Sequence, residues 1–233
     1  ARALSAQGGQ RLVMLEKADA PGGTWRENTY PGAACDVPSH LYSLSDAPNP
    51  HWSRLFPSQP EIHAYLRRLA EPFEASGQLR YGARMVAARW LPDRALWQVE
   101  TAGGEKWFGR DLVMAPGGLH HPAWPDLPGL ETFRGRLLHT ARWPESIDLG
   151  GLRVGVIGTG ASAIQVIPEI AAKVAELHVA MRTPPWVLPR PGWSIPGWLR
   201  AGFARFAPLR LAFRAGVFLL LEALAHGLVH PRT

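Results

Sequence analysis

The apolar and polar positions of this chain fall into short segments of two different periods. Leu12, Val13, Met14 and Leu15 run unbroken between Arg11 and Glu16, the pattern of a short strand buried on both faces. Ala1 to Gln7 reads as a helical piece ahead of it, with Gly8-Gly9 as the turn between them. Ile62, Tyr65, Leu66 and Leu69 have helical spacing within Glu61 to Phe73, and Ser58 is the candidate N-cap. Arg84 to Trp90 and Ala95 to Thr101 read as strands, and Gly103-Gly104 turns the chain toward another at Lys106 to Phe108. Asp111 to Ala115 is expected as a further buried strand. Arg153 to Ile157, Ala161 to Val174 and Leu177 to Met181 predict strand, helix and strand. Trp198 to Val229 predicts two helices broken near Pro208.

These elements describe an α/β chain with two Rossmann-like dinucleotide-binding units, long loops and a C-terminal helical segment. The second unit carries the clearer turn, Gly158-Thr159-Gly160-Ala161-Ser162-Ala163. Gly158 allows the tight turn, Gly160 lets backbone approach a pyrophosphate, and Ala163 permits close helix–strand packing. The helix N-terminus adds free N–H groups and a positive dipole end. Its second strand ends Met181-Arg182-Thr183, where a guanidinium suits a 2'-phosphate and favours NADP(H). In the first unit the strand ends in Glu16, which suits free ribose hydroxyls and hence FAD or NAD. One chain with both choices reads as an oxidoreductase in which NADPH reduces a bound flavin.

Composition narrows the alternatives. Hydrophobic residues make up 46% of the 233 and charged residues 19%, enough to bury a core in one large or two modest domains. Ten Trp and 22 Pro point to structured loops. The single cysteine, Cys35, excludes an internal disulfide framework and disfavours a disulfide reductase, which needs a redox pair. No Cys/His set has metal-ligand spacing, so no metal is expected. The net charge is +6, but the arginines are scattered with no basic run interleaved with aromatics, so nucleic acid is not an expected partner. The longest uncharged apolar stretch, Ala215 to Leu221, is far below the about 20 residues a membrane span needs. The expected location is cytoplasmic.

Phe133 to Pro144 reads F-x-G-x-x-x-H-x-x-x-W-P and stands just ahead of the Gly158 turn. This run resembles the fingerprint of the Baeyer-Villiger monooxygenases. The resemblance extends to Gly22-Gly23-Thr24-Trp25, to Tyr30-Pro31-Gly32-Ala33-Ala34-Cys35-Asp36, and to Ser39, Tyr42 and Ser45. It continues through Gly158 to Gln165 and Arg182-Thr183-Pro184. It implies an FAD- and NADPH-dependent enzyme that inserts one atom of O2 into a ketone, giving an ester or lactone through a flavin C4a-peroxide. Sulfur or nitrogen oxygenation of a soft-heteroatom substrate is the alternative, and a catalytically incomplete nucleotide-binding fragment a further one. By the same resemblance Glu16, Gly23, Thr24, Trp25, Asp36 and Tyr42 attend FAD, with Asp36 beside flavin and nicotinamide. Gly158, Thr159, Gly160, Ala161, Ser162, Ala163, Gln165, Arg182 and Thr183 attend NADP. His139 serves domain movement, with Phe133 and Trp143 packing the linker.

On this reading residues 1–130 form the FAD domain, 131–150 the linker, 151–190 the start of the NADP domain and 191–233 the start of a helical segment. The Pro-rich run His120 to Leu130 is the candidate boundary. The chain departs from the family pattern in three places. No Gly-rich turn precedes the first helix, no residue here matches the family's active-site arginine, and Ala115-Pro116-Gly117 stands where Ala-Thr-Gly is usual. The first two lead to the expectation of a fragment lacking both ends, inactive alone.

Overall fold

The computed structural model describes residues 1–6, 8, 11–187 and 192–229. In chain order its elements are α1 (Arg2–Ala6), β1 (Met14–Leu15), α2 (Thr24–Glu27), α3 (Ser39–Tyr42), α4 (Gln59–Ala75), β2 (Leu79–Arg80) and β3 (Met85–Leu91). Then come β4 (Leu96–Thr101), β5 (Lys106–Gly109), β6 (Arg153–Ile157), α5 (Ala161–Ala171), β7 (Glu176–Ala180), α6 (Gly197–Arg205) and α7 (Ala207–Val229). The chain divides into two compact units, each drawn from separated segments. One comprises Ala1–Glu27 and His63–Pro125, the other Asn28–Ile62 and Asp126–Thr233.

In the first unit β1 and β2 pair in parallel, Met14 opposite Leu79 and Leu15 opposite Arg80. The expected strand over Arg11 to Glu16 is confined to Met14 and Leu15, because β2 offers only two residues to pair with. The meander β3-β4-β5 is antiparallel, as the alternating runs predict. A 3-10 turn at Pro92–Arg94 joins β3 to β4, with Ala95 left-handed at φ 49°. Asp111 to Ala115 corrects the sequence reading: no strand forms there, and Val113 and Met114 are 74% and 53% exposed. An apolar run becomes a strand only where a neighbour pairs its N–H and C=O groups, and no ladder among the described residues reaches this one.

In the second unit β6, α5 and β7 form a parallel β-α-β unit, Arg153 opposite Glu176 through Ile157 opposite Ala180. Val166 and Ile170 of α5 are 3% exposed and pack with Tyr30 and Ala33. Val154, Val156, Leu177 and Trp143 close over that cluster. Each fully buried aliphatic side chain contributes about 1.5–3 kcal/mol. Trp52 and Phe203 are wholly buried elsewhere in this unit. The Trp52 indole Nε1 donates to Ser43 Oγ at 2.8 Å, and that hydroxyl donates to the Ser39 carbonyl at 3.1 Å, tying the end of α3.

Helix α4 starts where Ser58 predicts: the Ser58 carbonyl accepts from Ile62 N–H at 3.1 Å. Glu61, in its first turn, accepts from both the N–H and the hydroxyl of Ser53. The break near Pro208 falls at Phe206, between α6 and α7. No helix among the described residues is long and apolar enough to cross a membrane, and no group of His, Cys, Asp and Glu among them could hold a metal.

Candidate nucleotide site

The turn after β6 is bound to the tip of β7. Gly158 donates its N–H to the Ala180 carbonyl at 3.0 Å, and Thr159 Oγ1 donates to the Thr183 carbonyl at 3.4 Å. Gly158 takes φ +106°, which only glycine adopts without strain. Gly160 differs. It caps α5 at an ordinary φ of −71°, and a Cβ built on it meets no atom within 4 Å. Neither backbone conformation nor packing among the described residues therefore asks for a glycine there, and the space in front of its backbone is open. No side chain caps this helix end, so the first-turn N–H groups of Ala161, Ser162 and Ala163 face outward without intrahelical partners. Ala163 itself is buried, as close helix–strand packing requires. Arg182 and Thr183 are exposed just beyond β7. The residues present thus fit a dinucleotide phosphate, with a guanidinium available for a further one.

The segment Tyr30 to Asp36 packs on the same helix. Gln165 Oε1 accepts from the Tyr30 hydroxyl at 3.0 Å and from Ala34 N–H at 3.3 Å, while Nε2 donates to the Ala34 carbonyl at 2.9 Å. Gln165 thus spends its carboxamide on holding this loop, a job the sequence does not reveal because the partners lie far away along the chain. Gly32, at φ +79°, sits so close that a Cβ would stand 2.6 Å from the Gln165 carbonyl oxygen. Cys35 is buried, its N–H bonded to Pro57 O at 2.9 Å, and Asp36 emerges exposed directly after it. Tyr42, at the end of α3, is 39% exposed.

The remaining flavin candidates lie in the first unit. Glu16 follows β1, and its Oε1 accepts from Ala18 N–H at 2.9 Å. Gly22 and Gly23 have φ +123° and +49° and lead into α2. A Cβ on Gly22 would strike the His63 ring at 2.6 Å, whereas Gly23 faces open space. Thr24 is exposed and Trp25 half-buried. A half-exposed carboxylate at a strand tip and an open glycine turn fit a ribose and a ring system.

The Phe133 to Pro144 run has a mechanical reading. The Phe133 ring lies over Gly135, where a Cβ would come within 2.5 Å of it. His139 caps a 3-10 turn at Thr140–Arg142, its Nδ1 accepting from Ala141 N–H at 3.1 Å. That bond puts the proton of a neutral ring on Nε2. Trp143 packs on the Val166–Ile170 cluster.

Residues 12–198 match the flavin-binding monooxygenase-like family. The chain belongs to that family. A Baeyer-Villiger monooxygenase of Streptomyces coelicolor is 47% identical over 207 residues, covering 88% of this chain and 39% of the relative. The structure of cyclohexanone monooxygenase from Rhodococcus sp. Phi1 bound to NADP+ superposes with a TM-score of 0.80 at 39% identity, over 88% of this chain and 40% of that one (the structure is of a triple mutant). OTEMO, in complex with FAD and NADP, gives 0.77 at 33% identity, over 86% and 40%. The fold is therefore the Rossmann-like fold of these monooxygenases. The chain spans about two fifths of the length of the relatives it matches.

Proposed function

We propose that this chain provides FAD- and NADPH-binding parts of a monooxygenase that inserts one oxygen atom of O2 into a ketone. The balance is ketone, O2, NADPH and a proton to ester or lactone, NADP+ and water. The observation that carries this reading is Gly160: a glycine that neither packing nor φ requires, at an uncapped helix end whose turn is bonded to the segment carrying Arg182. Similarity to monooxygenases that carry FAD and NADP supports it.

When bound, NADPH supplies hydride and FAD the electrons that activate O2. In the proposed division, residues 1–130 serve FAD, 131–150 link, 151–190 serve NADP and 191–233 begin a helical segment. Gly158 to Ala163 cradle the pyrophosphate, and Arg182 and Thr183 take the 2'-phosphate. Glu16 holds the flavin nucleotide's ribose, and Gly23, Thr24, Trp25 and Tyr42 line the flavin. Asp36 holds charge beside flavin and nicotinamide, at a position that Gln165 sets through Ala34. His139 transmits movement through the linker.

In the whole monooxygenase supplied with 18O2, one labelled atom appears in the ester or lactone and one in water; unlabelled product ends the proposal. In the whole monooxygenase Arg182→Ala weakens NADPH binding by about 10- to 100-fold, the size of a lost charge-assisted pair. NADH binding changes little. Equal losses for both coenzymes would show that Arg182 does not read the 2'-phosphate.

A further inference from the structure

The second unit holds a cavity of about 260 Å³ that the nucleotide reading does not use, lined chiefly by His40, Ser43, Ser45, Asn49, Arg210 and Arg214. Helix α7 builds its basic wall. Arg210 and Arg214 stand one turn apart, so both guanidinium groups lie on one helix face. Arg210 Nη1 donates to the Phe203 carbonyl at 2.9 Å, and Arg214 Nη2 to Ser45 Oγ at 3.4 Å. No salt bridge among the described residues joins either one to a carboxylate. Two like charges on one face over a cavity repel until an anion joins them.

His40 of α3 forms the facing wall. It is 4% exposed, and the rings of Phe203 and Phe213 meet it edge-on at 4.8 and 5.0 Å. Its Nδ1 lies 3.3 Å from Ser39 Oγ, while its Nε2 is buried with no hydrogen-bond partner. In either tautomer Nε2 is a buried polar atom left unsatisfied. Burial first, then Arg210 and Arg214, hold the His40 pKa down at about 4. The ring is therefore neutral at pH 7. Asn49 adds amide donors, since its Oδ1 already accepts from His51 N–H at 3.2 Å.

We propose that this cavity binds a compact oxyanion, a phosphate or a carboxylate, between the Arg210 and Arg214 guanidinium groups and in front of the buried His40 ring. None of its residues belongs to the nucleotide turn, so the two sites are separable by mutation. Calorimetric titration of the protein at fixed ionic strength, with inorganic phosphate and separately with acetate, shows saturable binding of at least one. The stronger of the two names the source chemistry. Arg214→Gln weakens that binding by about tenfold, the size of one charge-assisted bond, and Arg214→Lys recovers part of it. The His40 imidazole, followed by NMR, titrates at higher pH in saturating phosphate than without it, because the anion offsets both arginines. Binding abolished by Arg182→Ala but unchanged in Arg214→Gln would assign the anion to the nucleotide turn and overturn the proposal. So would the absence of saturable binding of either anion. If Arg214→Gln fails to fold, the parent protein decides: a His40 titration unmoved by phosphate overturns the site.

Discussion

Replacing Gln165 by methionine removes a carboxamide while keeping the length of the side chain. The hydrogen bonds lost are those from the Tyr30 hydroxyl, from Ala34 N–H and to the Ala34 carbonyl, at 3.0, 3.3 and 2.9 Å. At about 1 kcal/mol for each neutral pair, the cost is about 3 kcal/mol. The two bonds to Ala34 alone set a lower bound of about 2 kcal/mol. For a chain of this size the thermal midpoint then falls by about 4–12 °C. Urea and thermal melts followed by circular dichroism measure this, on Gln165→Met, Tyr30→Phe and the double variant. Tyr30→Phe alone costs about 1 kcal/mol, and the double variant costs less than the sum by about 0.5–1.5 kcal/mol. If Asp36 acts as proposed, kcat/KM with NADPH of the whole monooxygenase falls as well, because Ala34 leads through Cys35 to Asp36. A Gln165→Met protein within about 0.5 kcal/mol of the parent, or one uncoupled from Tyr30→Phe, would refute the clamp.

Two glycine substitutions separate backbone strain from crowding. Gly23→Ala, at φ +49° in open space, costs about 1–2 kcal/mol from conformation alone. Gly32→Ala adds a 2.6 Å contact with helix backbone and costs about 2–5 kcal/mol; equal costs in denaturant melts would contradict the packing described. His40 gives a pH signature. Its pKa is about 4 when folded against 6.5 when unfolded, so the unfolded chain takes up the proton first as pH falls. Stability from this group is whole above about pH 6.5 and is lost between about 6.5 and 4, by up to about 3 kcal/mol. His40→Phe keeps the contacts with Phe203 and Phe213 and removes that slope; an unchanged slope in urea melts from pH 7.5 to 4 would show that another group carries it.

The second β-α-β unit was legible in the sequence because its determinants are local. Gly158 needs a positive φ, Ala163 needs close packing, and the helix behind them ends in free N–H groups wherever it occurs. The β3-β4-β5 meander and the start of α4 were legible for the same reason: their periods and turn residues act within a few positions. Asp111 to Ala115 was misread because apolar composition states a wish to be buried and says nothing of a partner. Arg11 to Glu16 was overextended by the same inference. The hydrogen bonds of Gln165 to Tyr30 and Ala34 are not legible in sequence, because those partners lie more than half the chain away. Arg210 and Arg214 looked like scattered charge until α7 brought them opposite His40. The sequence alone therefore determined the glycine turn after β6, the acid at one strand tip and the arginine at the other, since backbone dihedrals and charge are properties of single residues and short runs. Tertiary structure alone decided which apolar runs became strands, what Gln165 holds and what His40 faces, since pairing and burial depend on groups that only folding brings into reach.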